Sequence, residues 1–150
     1  MIDMTPAEIA QMFDDAMIGR LCMADTDGTP YSIPLPFCWA NGALYLRLPL
    51  TGRKGEVLSR NDRVCFQVDA FSGSLDDYAS ALVEGRLVEV TSIDEKASVK
   101  VANDAKYDRL RGGSRPGHGR STPLAALPMR KIAVTQLSGK KKEPAPAAAV

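Results

Sequence analysis

Apolar side chains fall on every second position over residues 31–39. Tyr31, Ile33, Leu35, Phe37 and Trp39 alternate with Ser32, Pro34, Pro36 and Cys38. Period two marks a strand with one buried face. Asn41-Gly42 then supplies the favoured hairpin turn into a second strand over 43–46. Two prolines spaced two apart aim their missing N–H groups to the same side, which a central strand does not tolerate. Residues 33–37 are therefore expected at a sheet edge or a bulge. Such an edge leaves main-chain groups free to face a ligand, although prolines there serve equally well to block strand addition.

The remaining pattern is read in the same way. Thr5-Pro6-Ala7-Glu8 is a capping box with proline at the first helical position. Ile9, Phe13, Ala16 and Met17 follow it at helical spacing, and Gly19 ends the run. Residues 20–25 read as a strand and 25–28 as a turn. A short helix over about 53–60 precedes a strand over 63–71. Residues 79–91 form a long strand interrupted at Gly85, the mark of a bulge or barrel corner. Ser92-Ile93-Asp94-Glu95 is a second capping box, opening a helix through about Leu110. The segment 111–123 is too rich in Gly, Pro and Arg for regular structure, and a last strand runs to about 139. Residues 1–139 read as one domain and 140–150 as a tail with nothing to bury. About six strands in neighbouring antiparallel pairs, with two or three helices, predict a small antiparallel β-barrel with peripheral helices.

Composition changes this picture little. The chain has 150 residues, 45% hydrophobic and 25% charged, with net charge +1, so nothing draws it as a whole to nucleic acid or membrane. The charge is uneven, however. Residues 1–27 hold six acids against Arg20, whereas 103–131 hold seven cations against two acids. A local anion site is the expectation. Cys22, Cys38 and Cys65 are widely spaced within apolar runs and are expected to be reduced core residues. No segment has the form of a signal peptide, and no apolar run nears the roughly 20 residues of a membrane span. A soluble, cytoplasmic protein is expected.

Candidate chemistry is concentrated in residues 48–61. Arg53 and Lys54 occupy the first turn of the expected helix, where unpaired N–H groups and the positive dipole end repel cations by a few tenths of a kcal/mol each. Gly52 lets a bound group come close, Thr51 adds a hydroxyl, and the four together suit a phosphate. The alternative is that both side chains turn to solvent, Lys54 pairing with Glu56 or Asp62. His118 is the only histidine, which excludes a multi-histidine zinc site and leaves no metal site expected. The basic loop 109–120 lacks aromatic interleaving, so a nucleic-acid partner is not expected. No side-chain constellation advertises a catalytic residue, which favours chemistry carried by a cofactor.

Residues 18–69 resemble the pyridoxamine 5′-phosphate oxidase-like FMN-binding split barrels, nearest the branch that includes nitroimidazole-resistance proteins. The likeness rests on Gly19-Arg20-Leu21, Asp27-Gly28 with Pro30, Pro34-Leu35, Phe37, Leu44-Tyr45, Gly52-Arg53-Lys54, and Asn61 with Val64-Cys65-Phe66. The later stretches YASALVEGRLVEV and VTQLSGKK are similar to the family's closing strands. The resemblance implies a six-stranded antiparallel split barrel and a homodimer with FMN in the cleft between subunits. Arg53 and Lys54, with Thr51 nearby, would hold the phosphate. Pro34, Leu35, Pro36 and Phe37 would run beside the isoalloxazine ring, with the partner's Tyr78 and the partner's Ser80 approaching from across the cleft. A histidine commonly follows the Leu-Tyr-aliphatic segment in the nitroimidazole-resistance branch. Here Arg47 stands there, to receive an anionic substrate or stabilise reduced flavin, or simply as an exposed arginine. The implied activity is an oxidoreductase passing reducing equivalents from flavin to a small organic acceptor. The alternatives are the deazaflavin F420 or haem in the same fold, or a flavin-binding sensory protein without turnover.

Overall fold

Capping fixes the first helix. In the computed structural model, which describes residues 1–113 and 122–143, strand β1 (Ile2–Asp3) leads into α1 (Pro6–Asp15). The Thr5 hydroxyl accepts from Glu8 N–H and the Glu8 carboxylate accepts from Thr5 N–H, so the capping box forms in full. Thr5→Ala is expected to lower stability by about 1 kcal/mol, read as a lower urea midpoint with an unchanged m-value. The helix stops at Asp15, short of the expected run through Met17, which is left 43% exposed. Asp14 and Asp15 face the negative end of the helix with no basic residue in the last turn, which opposes continuation.

Eight strands make one antiparallel sheet. After β2 (Gly19–Ala24) and β3 (Pro30–Leu35) come β4 (Cys38–Ala40) and β5 (Ala43–Arg47). Helix α2 (Gly52–Arg60) precedes β6 (Arg63–Phe71) and β7 (Tyr78–Glu89). Helix α3 (Ile93–Arg111), a 3-10 turn (Leu124–Ala126) and β8 (Met129–Lys141) close the chain. Strand order is β3-β2-β6-β7-β8-β5-β4, with β1 also on β8. The strand expected over 31–39 is thus two strands, broken at Pro36 and Phe37, and these two are the opposite ends of the sheet.

That break dictates the architecture. Strands β3 and β4 lie at opposite edges yet are joined by two residues, which reach at most about 11 Å from Leu35 to Cys38. The sheet must curl until its edges meet, leaving an unpaired seam between them. The β2–β3 ladder runs without a register break through Ala24↔Pro30 and Arg20↔Pro34. The missing N–H groups of Pro30 and Pro34 therefore fall on the free edge, whereas Pro36, the other proline of the expected pair, lies past the end of β3 in the break.

The barrel interior is apolar. Leu21, Phe37, Leu44, Leu46, Phe66, Val68, Val83 and Ile132 are all buried there, and α1 inserts Ile9, Met12 and Phe13. Phe37 meets Phe13 edge-on at 5.9 Å between ring centroids and Phe66 at 5.0 Å. Gly85 sits at a register shift of β7 against β8, where an added Cβ would come within 2.0 Å of the Ala133 carbonyl oxygen. The expected bulge is present because only glycine fits. Strand β8 runs through Lys141, two residues beyond the expected domain end at 139. Lys140 and Lys141 pair with β1 and β7, and their ammonium groups reach Asp3 and Glu8. The rest of the expected tail, 144–150, lies outside the described residues, as does His118 with the rest of 114–121.

The second capping box forms only by half. Ser92 accepts from Glu95 N–H, but the Glu95 carboxylate instead accepts from the Tyr45 hydroxyl at 2.6 Å and Lys131 at 2.7 Å. Helix α3 is anchored by polar groups elsewhere as well. Lys96 donates to the carbonyls of Leu124, Ala125 and Leu127. The thiols are free, but Cys38 alone is buried; Cys22 and Cys65 are half-buried, facing each other on the outside of the sheet.

Candidate functional site

The seam of the barrel and the start of α2 adjoin. Leu50, Thr51 and Gly52 carry the chain from β5, near one edge, into α2, whose Val57 and Leu58 are buried in the core. Gly52 has φ +62, a left-handed conformation that glycine adopts without strain, and the space where a Cβ would stand is open. Gly55 is needed for packing, since a Cβ there would lie 2.6 Å from the Leu50 carbonyl. At the far end of α2, Arg60 grips Asp25 with two 2.8 Å hydrogen bonds and holds its carboxyl down at about 2. The C-terminal end of α2 is thereby fixed against the β2–β3 hairpin.

The first turn of α2 carries no acid, and the Thr51 hydroxyl makes no capping bond. The Arg53 guanidinium lies 4.3 Å from the centroid of the Tyr31 ring on β3, an edge strand of the sheet. Among the described residues neither Arg53 nor Lys54 forms an ion pair. The alternative partner Asp62 is bound to Arg86 instead. Two cations without an ion pair, a positive-φ glycine and the N–H groups of a helix start are thus neighbours in sequence at the beginning of α2, Arg53 lying against the β3 edge. This donor set fits a phosphate monoester: each element supplies positive charge or N–H groups, and none supplies a competing carboxylate.

The two-proline segment lines the same seam. Pro34 and Pro36 are exposed and Leu35 is half-buried. Phe37 differs, because its ring lies in the core and its main-chain groups are taken. Its N–H donates to the Tyr107 hydroxyl at 2.9 Å, and its carbonyl accepts from Lys106 at 3.0 Å. Lys106 also donates to the Phe13 carbonyl, and the Tyr107 hydroxyl donates to the Met17 carbonyl at 2.7 Å. Two consecutive α3 side chains thus satisfy the backbone left unpaired where the sheet breaks. The sequence offers little sign of them, because a buried helix face bearing Lys96, Lys106 and Tyr107 has no apolar stripe to detect.

Burial pushes the Lys106 ammonium down to about 8, opposed by Asp14, Asp15 and the Cys38 thiol and reinforced by Arg109. Above that pH the folded protein binds fewer protons at this site than the unfolded chain, so the lysine makes stability rise with pH. The buried Cys38 thiol is pushed up instead and acts in the opposite sense from about pH 9. Wild type is therefore expected to gain stability relative to Lys106→Met between pH 8 and 9, measured by urea unfolding at each pH. A flat difference would show that the ammonium is not buried as described.

The other candidate residues lie apart from this cluster within one chain. Ser80, on β7, accepts from Gln67 at 3.3 Å, and Tyr78 is 40% exposed opposite Phe71. Register places Pro34, Arg20 and Gln67 in one row on the outer sheet face, with Ser80 on the same face. Three strand spacings separate β3 from β7, roughly 14 Å. Arg47 is exposed at the end of β5 and donates to the Thr122 hydroxyl at 3.3 Å.

A curled antiparallel sheet whose edges meet without pairing, flanked by peripheral helices, is a split barrel. The comparisons agree, and the chain belongs to the pyridoxamine 5′-phosphate oxidase family, whose model matches residues 5–141. It is similar to a candidate 5-nitroimidazole antibiotic resistance protein from Bacteroides thetaiotaomicron VPI-5482. The two share 23% identity over 93% of this chain and 86% of that one, with a TM-score of 0.72. A FAD-binding protein from Mesorhizobium loti shares 26% identity over 95% and 98% of the two chains, with a TM-score of 0.67. A heme binding protein from Mycobacterium smegmatis shares 15% identity over 93% of this chain and 59% of that one, with a TM-score of 0.64. No curated protein matches the chain. Among the described residues no helix is long and apolar enough to cross a membrane, and no group of three or more His, Cys, Asp or Glu side chains is placed to hold a metal ion.

Proposed function

We propose that the chain is an FMN-binding flavoprotein that passes reducing equivalents to a small organic acceptor. The observation that carries this is the pair of unneutralised cations, Arg53 and Lys54, on the first turn of α2 beside Gly52 and the seam. An anion there neutralises charge that no ion pair among the described residues neutralises. Membership of the family and the likeness to a FAD-binding protein support a flavin as the bearer of that anion.

In this reading Arg53, Lys54 and Thr51 hold the phosphate, with Tyr31 orienting the guanidinium from below. Pro34, Leu35 and Pro36 border the ring along an edge that prolines keep free of ladder partners. Phe37 anchors that edge instead of touching the ligand, since its N–H and carbonyl are engaged by α3. A second copy of the chain completes the site, because Tyr78 and Ser80 lie too far across the outer face to reach the seam of their own subunit. Bound FMN supplies hydride or single-electron transfer; the protein supplies binding, orientation and exclusion of water. The three free thiols suit a reducing compartment, and we place the protein in the cytoplasm.

The absorption spectrum of the purified protein, before and after adding FMN, tests the reading. Flavin bands with acceptor-dependent oxidation of NADH or NADPH are expected. Haem or deazaflavin F420 bands would replace the cofactor, and flavin bands without turnover would favour a binding or sensory role. A protein that retains no flavin bands once unbound FMN is removed by gel filtration would remove the proposal.

A further inference from the structure

Helix α3 is fastened to the barrel at two places, by Lys96 near one end and by Lys106 and Tyr107 near the other. Between them a cavity of about 110 Å³ remains under the helix, against β4 and β5. Its apolar wall includes Val99, Leu127 and Met129, each less than one-tenth exposed. Its rim includes Arg47, Asn103 and the pair Lys100–Asp104. Lys100 and Asp104 neutralise one another at 2.7 Å. Arg47 has a hydroxyl partner, Thr122, but among the described residues no carboxylate. The cavity thus has an apolar body and a single uncompensated positive charge at its mouth, carried by a planar fork that matches a carboxylate.

We propose that this cavity binds a small monocarboxylate with a compact apolar body, Arg47 taking the carboxylate while Val99, Leu127 and Met129 enclose the body. Size narrows the class. An apolar cavity of about 150 Å³ holds a benzene ring, so this smaller space suits a short branched chain of roughly four or five carbons. The half-buried Asn103 amide can donate to the second carboxylate oxygen. The site does not require the flavin reading, since every group named belongs to α3, β5, β8 or the segment before β8.

The test is a titration of the ¹⁵N-labelled full chain with isovalerate and with its neutral isostere isovaleramide, each with and without FMN. Saturating amide shifts at Arg47, Val99 and Met129 are expected with isovalerate, and at least tenfold weaker binding with isovaleramide. Arg47→Gln should cost isovalerate at least tenfold while leaving isovaleramide unchanged, and being exposed it should not disturb the fold. Val99→Phe should fill the cavity and abolish both. No saturating shift at the highest soluble concentration would overturn the proposal. So would equal affinity for acid and amide, or Arg47→Gln binding as tightly as wild type. Failure to bind FMN in the same samples would count against the flavin reading alone.

Discussion

Alanine at Arg53 or Lys54 is expected to weaken FMN binding by about 1.5–3 kcal/mol for each charge-assisted hydrogen bond removed. That is roughly a 10- to 150-fold rise in Kd per residue. The direction follows from the free protein as much as from the complex. Both cations sit at the positive end of α2 without an acid in its first turn, so removing Lys54 relieves a small repulsion and should leave folding stability unchanged or slightly raised. Arg53→Ala also gives up the Tyr31 contact and should cost no more than about 1 kcal/mol. Weaker binding with unimpaired stability is the signature of a group that touches the ligand. Arg53→Lys separates charge from shape: the charge stays, but the guanidinium 4.3 Å from the Tyr31 ring centroid does not. It should bind FMN less tightly than wild type and more tightly than Arg53→Ala. Unchanged affinity in both alanine variants, measured by fluorescence quenching of FMN, would remove the phosphate assignment.

Tyr107→Phe is expected to destabilise the protein by about 2–4 kcal/mol, because two backbone groups lose their partner at once. The Phe37 N–H is the larger part, since Phe37 is 1% exposed and water cannot replace the hydroxyl. The Met17 carbonyl belongs to an exposed residue and contributes less. The loss should be far smaller if the phenol were only packing, since the ring is retained. Urea unfolding decides between these outcomes. In the same variant the Pro34–Pro36 edge keeps only the Lys106 bond to the Phe37 carbonyl as its anchor, so FMN affinity should fall although no residue near the phosphate has changed.

Much of this was legible in the chain. The Asn41-Gly42 turn, the capping box at Thr5 and the break at Gly85 all act locally, and each appears where its chemistry requires, whereas the alternation over 31–39 runs through a strand break it does not mark. The proline pair marked an edge, and the edge proved to be the seam. Less legible was what depends on partners distant in sequence. Glu95 had the spacing of a capping-box acid, but Tyr45 and Lys131 compete for it and prevail. Nothing local shows that residues 35 and 38 belong to opposite ends of one sheet. The positions of Lys106 and Tyr107 carried no signal, because periodicity registers apolar burial and these bury polar atoms for the sake of backbone 70 residues away. Arg47 was visible as a residue, but its cavity exists only because α3 is held off the sheet between two lysine anchors.

One consequence of the seam concerns motion. A ladder opens bond by bond, whereas the fastening at Phe37 depends on two neighbouring positions of a single helix. Were the last turns of α3 to lift, the backbone groups of Phe13, Met17 and Phe37 would lose their partners together, with no ladder between β3 and β4 to hold that edge. Breathing of this kind belongs to the low end of the local-unfolding spectrum, so the Phe37 amide should exchange with solvent deuterium sooner than those of Phe66 or Val83. The same event that frays a helix would then admit or release whatever occupies the crevice.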